Sequence, residues 1–224
     1  MTIEPVTKEE LLSFLENEVK FRIDSIVEGA IETAEEIHIG VKREDGTSSF
    51  LKTHTWPVTM EVVKQYQSEH KLLTSLQIVG AILHDCMEDD EKILDLYASK
   101  TYGFDAYFLH RFGDYVYKMI MTLKVQPLEN YSGSTTEERE SNRFREYCNI
   151  LANSAYDIKA IKLADRVNNM RFVAEVTGNE KIKRYIREAE DFYIAYPLLT
   201  PRMDNFYAKI RTAYEDLKKI KISV

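Results

Sequence analysis

The segment Ile82-Leu83-His84-Asp85-Cys86-Met87-Glu88-Asp89-Asp90 sets one imidazole and four carboxylates within seven positions, directly behind an apolar run. His84 and Asp85 offer a mixed N/O donor set, the kind that suits Mn²⁺, Zn²⁺ or Fe²⁺. Glu88 and Asp89 lie one turn further on, near enough to handle a water and its proton without holding the cation. On a helical wheel Val79, Ile82, Leu83, Cys86 and Met87 share one side, with His84, Asp85, Glu88 and Asp89 opposite them in an arc of about 140°. The apolar side predicts core, with Cys86 as a small buried hydrophobe. The polar arc alone fits either a solvated face or a reactive site. Far along the chain, IKLADRVNNMR places Lys162, Asp165 and Asn169 at i, i+3 and i+7, again on one helical face. His54, in KTHTWP, precedes a proline at a loop-to-helix junction. Together these residues are the kinds that a metal and proton-transfer site requires, where a divalent cation can lower the pKa of its bound water.

Such residues need a scaffold, and the chain supplies helices. Thr7-Lys8-Glu9-Glu10 and Thr135-Thr136-Glu137-Glu138 are capping-box patterns. Helical runs are expected over about 26–38, 57–70, 73–88, in shorter pieces from about 91 to 124, and over 158–176, the last stopped by Gly178. A C-terminal helical hairpin is expected, one arm over 180–195, interrupted by Pro197 and Pro201. Its other arm carries the stripe Phe206, Ile210, Ala213, Leu217 and Ile220. Strand-like alternation of β-branched residues is missing, so the reading is all-α. Residues 1–200 form the catalytic domain and residues 201–224 a packing helix of the same domain.

With 224 residues the chain can bury a sizeable core. A net charge of −7 and a pI near 5.4 argue against a nucleic-acid partner. No apolar stretch approaches the ~18 residues that a membrane span requires. The N-terminus lacks a signal-peptide pattern, and Cys86 and Cys148 are too few and too far apart for a disulfide scaffold. A cytoplasmic location is the expectation.

HDCMEDD followed at a distance by KLADRVNNMR resembles the two signature segments of the Rel/Spo alarmone hydrolases, members of the HD-domain phosphohydrolase superfamily. The likeness extends to IHIGVKR, RFGDYVYKMIMTLK and YCNILANSAYDIKAIKLAD and covers roughly residues 30–195. No synthetase domain follows, so the chain resembles a small stand-alone alarmone hydrolase with an HD-domain helical bundle. The resemblance implies one Mn²⁺ held by His54, His84, Asp85 and Asp165, with Glu88 and Asp89 activating and orienting the water. It further implies Arg43 packing on the purine, Asn169 lining the nucleoside pocket, Tyr193 as a substrate contact matching a family tyrosine in the following helix, and Lys162 either contacting phosphate or supporting its helix.

The implied substrate is (p)ppGpp, cleaved to GDP or GTP and pyrophosphate, by a protein that could form a homodimer. Two features depart from the family. Glu44 follows Arg43 where a basic residue is usual, and Phe172 stands where bacterial members often carry a threonine facing the nucleotide. These departures open a second substrate class, a ppApp-type alarmone or NADPH. A catalytically silent nucleotide-binding partner protein is a third possibility, opposed by the complete set of acidic and imidazole groups. His38 is expected to help position the Arg43 loop.

Overall fold

In the computed structural model, which describes residues 3–88, 103–176 and 179–220, helices begin where side chains cap them. Thr7 accepts from the Glu10 amide, and Glu10 accepts in return from the Thr7 amide, opening α1 (Lys8–Ser13). Asp24 accepts from the Val27 amide to open α2 (Ser25–His38). Pro57 sits in the first turn of α3 (Trp56–Ser68), where its missing N–H leaves no bond unmade. Thr74 and Gln77 form a capping box for α4 (Ser75–Leu83). α5 (Phe104–Leu123) is broken internally at Gly113, whose φ of 82° is readily adopted only by glycine. α6 (Thr136–Ala152) starts on the Thr135–Glu138 box, and α7 (Tyr156–Val176) follows. α8 (Asn179–Glu188), the short α9 (Tyr196–Leu199) and α10 (Asp204–Lys219) complete the chain. Among the described residues there is no strand, only one isolated antiparallel bridge between Lys42 and Ser49. The all-α expectation holds.

Three apolar clusters organise these helices. The first joins α1, α2, α4 and α5 through residues such as Leu11, Ile37, Ile82 and Phe108. The second joins α3, α6, α7 and α10 through Tyr66, Leu151, Ile161 and Phe206. The third packs Val173 of α7 and Ile182 of α8 against Ala213 and Leu217 of α10. The predicted C-terminal stripe is therefore buried, with Phe206, Ile210 and Leu217 fully inside at about 1.5–3 kcal/mol each. Asp157, in the first turn of α7, accepts from Tyr66 of α3, Gln77 of α4 and Tyr115 of α5. That one carboxylate ties four helices at the end of the segment that bears Lys162 and Asp165.

One expectation changes. The wheel drawn through Asp89 assumes continuous helix, but α4 ends at Leu83, His84 and Asp85 occupy a turn, and Cys86–Glu88 wind more tightly. The His84 ring donates from Nδ1 to the Ala81 carbonyl at 2.8 Å, and the Glu88 amide reaches the Asp85 carbonyl at 3.1 Å. These bonds replace the helical ladder and turn the polar groups toward α3 and α7. Cys86 and Met87 are buried as expected. The pieces expected over 91–102, and Asp89, lie outside the described residues.

Candidate metal centre

Three elements bring the four expected ligands together. His54 lies in Leu51–Thr55, a wide turn in which the Trp56 amide bonds to the Leu51 carbonyl, five residues back. Such turns carry one residue more than an α-turn and recur at functional sites. His84 and Asp85 come from the turn after α4, and Asp165 from the middle of α7. One donor atom from each of His54, His84, Asp85 and Asp165 lies within 4.8 Å of all the others. A single cation with bonds of roughly 2.0–2.4 Å fits that spacing.

Hydrogen bonds aim the imidazoles. Arg43 Nη1 lies 2.8 Å from Asn168 Oδ1, and Asn168 Nδ2 donates to the Thr53 carbonyl at 3.0 Å. A guanidinium can only donate, so the Asn168 orientation is settled, and Oδ1 is an acceptor. His54 Nδ1 lies 2.8 Å from the same Oδ1 and must donate to it. Nε2 of His54 then carries a lone pair, directed at Asp85 Oδ2 (2.8 Å) and His84 Nε2 (3.1 Å). His84, with its Nδ1–H given to Ala81, likewise presents Nε2. Lone pairs and carboxylates do not crowd to such distances without positive charge among them, which fits a cation site.

The protonation equilibria agree. Burial disfavours the charge on His84, yet Asp85 outweighs it and the pKa is pushed up to about 9, so without a cation a proton resides there. Burial pushes the Asp85 carboxyl up, but His84 and His54 hold it well below the usual range. Asp165 is held low by Lys162, whose Nζ lies 2.7 Å from Oδ2. Glu88 is exposed by area, yet it lines two concave spaces and has protein on either side. Burial there, followed by the charge of Asp85, pushes its pKa up to about 7.

Two cavities meet at this cluster and share Asp85, Glu88, Asn169 and Tyr185. One, of about 300 Å³, is bordered by Arg43, Glu44, Phe50, His54 and Lys181. The other, of about 310 Å³, is bordered by Arg143, Lys162, Arg166 and Arg184, with Glu140 and Glu188.

Arg43 is buried and held by the Thr53 carbonyl, Asn168 and Asn169 (Nη2 to Oδ1, 2.7 Å), with its guanidinium carbon 3.6 Å from the centre of the Phe172 ring. Phe172 therefore backs Arg43 and borders neither cavity, unlike its expected position on the nucleotide side. Glu44 is engaged by Lys181. Asn169 reaches Arg43 through Oδ1 and Asp165 through Nδ2. Tyr193 is fully buried, its hydroxyl accepts from Arg166, and it borders neither cavity. The wide turn Ala189–Tyr193 carries Tyr193 into the core beside Phe144 and Phe192, and Tyr185 borders both cavities instead. His38 packs on Phe50, which packs in turn on His54.

Sequence reasoning passed over Asn168 and took Phe50 and Tyr185 for loop and packing residues. Asn168 had one usable signal, its position three residues after Asp165 on the same helix. The HD-domain family model matches residues 30–196. No curated protein matches the chain.

Proposed function

The chain belongs to the HD-domain family, whose members are generally metal-dependent hydrolases, and from that premise we propose that it removes the 3′-pyrophosphate of (p)ppGpp. The products are GDP or GTP and pyrophosphate. The observation that carries this reading is the pair of imidazoles locked by Asn168 and Ala81, both directing Nε2 at Asp85 and Asp165. His54, His84, Asp85 and Asp165 would hold one divalent ion, Mn²⁺ in this reading, which supplies a Lewis acid for activating water and neutralising phosphate charge. In the reaction the water oxygen bonds to the phosphorus next to ribose O3′. The P–O3′ bond breaks, and O3′ leaves with a proton.

The chain's own groups divide the remaining work. Glu88, with its pKa near 7, takes a proton at neutral pH and returns it. Asp89 is assigned beside it from the sequence. Lys162 carries its charge firmly, since Asp165 overcomes the burial that opposes it, and faces the phosphate side. Arg43, stiffened by Phe172 beneath, offers a planar cation on which a purine stacks.

A second reading keeps the chemistry and changes the nucleotide to a ppApp-type alarmone or NADPH. It is favoured by the pairing of Glu44 with Lys181, which draws a carboxylate of the Arg43-side cavity, suited to guanine N1 and N2, into an ion pair. To test both, Mn²⁺-loaded protein is incubated with ppGpp, ppApp and NADPH and the products are separated by anion exchange. GDP and pyrophosphate from ppGpp are expected. Release from ppApp or NADPH alone moves the function to the second reading, and release from none of the three refutes both.

A further inference from the structure

A separate recess of about 610 Å³ lies between α3 and α7 and shares no lining residue with the two cavities at the metal cluster. Pro57, Met60, Glu61 and Lys64 line it from α3, and Ala164, Val167, Asn168 and Arg171 from α7, each set at i, i+3, i+4 and i+7 on one helical face. Residues 3–6 form a further wall, tied down where the Val6 amide donates to the Lys52 carbonyl at 2.8 Å. Lys209 of α10 pairs with Glu61 of the lining. Both residues 3–6 and α10 fall outside the stretch 30–196 that the HD-domain model matches. The recess thus forms where the family core meets segments beyond it.

Its composition suits one kind of ligand. The apolar walls are aliphatic, from Ile3, Val6, Pro57, Met60, Ala164 and Val167, with no aromatic ring for a base to stack on. The volume lies within the range of small-molecule sites, about 300–1,000 Å³. Of its charged groups, Glu61 is taken by Lys209, and Glu4 is exposed. Lys64 and Arg171 make no ion pair among the described residues. Lys64 is exposed and lies 5.5 Å from the centre of the Phe14 ring. Arg171 is half-buried, and the carboxylate whose charge it feels, Asp216, is engaged by Lys219 at 2.9 Å. α3 and α7 run antiparallel, because Gln65 and Tyr66 late in α3 meet Tyr156 and Asp157 at the start of α7. Lys64 and Arg171 therefore stand at opposite ends, with Arg171 one turn from Asn168.

We infer that this recess is an effector site for a small aliphatic carboxylate, whose head Arg171 holds and whose occupancy tightens the metal centre through Asn168. A guanidinium fork matches a carboxylate, and a half-buried one loses less hydration on pairing than the exposed Lys64. Asn168 borders the recess and also receives His54 Nδ1–H and Arg43 Nη1. A ligand bridging α3 and α7 favours the arrangement in which those bonds are made, and linkage makes the effect reciprocal. The site itself goes beyond the hydrolase reading, and only its effect on Mn²⁺ rests on the metal centre.

Calorimetric titration of the full-length, metal-free protein with octanoate, octanol and acetate tests the site. One octanoate per chain is expected, bound at least about tenfold more tightly than octanol, the difference that one charge-assisted hydrogen bond makes. Acetate, lacking the aliphatic body, is expected not to bind measurably. Arg171→Gln is expected to weaken octanoate about tenfold, Arg171→Lys to recover part of the loss, and Lys64→Gln to leave it unchanged, with thermal melting to confirm folding. Saturating octanoate is then expected to raise Mn²⁺ affinity at least about fivefold in wild type and to give no gain in Asn168→Ala. Octanoate binding that is absent, matched by octanol, or unmoved in folded Arg171→Gln overturns the site. Binding that leaves Mn²⁺ affinity unchanged overturns the effector role. Octanoate binding as expected, in a protein that leaves ppGpp intact, keeps the site and rejects the alarmone reading.

Discussion

Arg43 can only donate, so the Asn168 oxygen that faces it also receives His54 Nδ1–H, and one side chain braces both Arg43 and the proposed ligand His54. Replacing an outer partner of a metal-bound histidine typically lowers metal affinity about 10–100-fold. Asn168→Ala is therefore expected to weaken Mn²⁺ binding within that range and to loosen Arg43, measured by calorimetry and by nucleotide KM. An unchanged metal affinity would remove Asn168 from this role. Glu88 answers to a different test. Glu88→Gln is expected to reduce turnover by about 10²–10⁴ with normal metal content. The same group also gives a pH signature in the metal-free protein. Its native pKa of about 7 lies above the ordinary 4.5, so the folded state holds the proton more tightly than the unfolded chain. That contribution is complete below pH 4.5 and is lost as the pH rises through 7. Metal-free Glu88→Gln should thus be more stable than wild type at pH 8 and equal to it at pH 4, read by denaturant melts. Equal stability at pH 8 would argue that Glu88 is not strained by its surroundings.

At the scale of elements, α4 must approach α5 and α7 closely for His84 and Asp85 to meet Asp165. Gly80, four residues before His84, makes that approach possible. A Cβ there would fall inside the contact distance of Met119 Sδ on α5 and lie 3.3 Å from Ile161 Cδ1 on α7. Alanine gains about 1 kcal/mol in helix propensity, whereas overpacking a filled core costs about 1–3 kcal/mol. Gly80→Ala is expected to be net destabilising by about 1 kcal/mol and to weaken metal binding. A stabilised variant with normal metal content would show that Met119 yields freely. The helices themselves were legible, because capping boxes at Thr7 and Thr135 and the stripe from Phe206 to Leu217 are local signals. The turns that aim the ligands were not. The wide turn at Leu51–Thr55 is held from afar by Arg43 and Asn168 at the Thr53 carbonyl, and the break after Leu83 is made by the His84 and Glu88 bonds, whereas a wheel drawn from spacing assumes regular helix. The same limit misplaced Tyr193 and Phe172, whose helical face was readable but whose neighbours, Arg166 and Arg43, were not.

Across the whole molecule, the four proposed ligands come from segments anchored in different cores. His84 and Asp85 occupy a turn fixed by Ile82, Leu83, Cys86 and Met87 of the first cluster, while Asp165 stands between Ala164 and Val167 of the second. No helix among the described residues is long and apolar enough to cross a membrane. A cation bound at the junction stabilises only the assembled state, by about 2.7 kcal/mol at a hundredfold excess over Kd. For a chain of this size that corresponds to a rise in Tm of about 5–10 °C. The most direct measurement is a titration of metal-free protein with Mn²⁺, following bound ion by electron paramagnetic resonance and pyrophosphate release from ppGpp in the same samples. One ion per chain is expected, with release rising in step and levelling at one equivalent, and Asp85→Asn should abolish both. Wild-type Mn²⁺ stoichiometry in Asp85→Asn, or pyrophosphate release that persists in metal-free protein under chelator, would contradict a hydrolase built on His54, His84, Asp85 and Asp165.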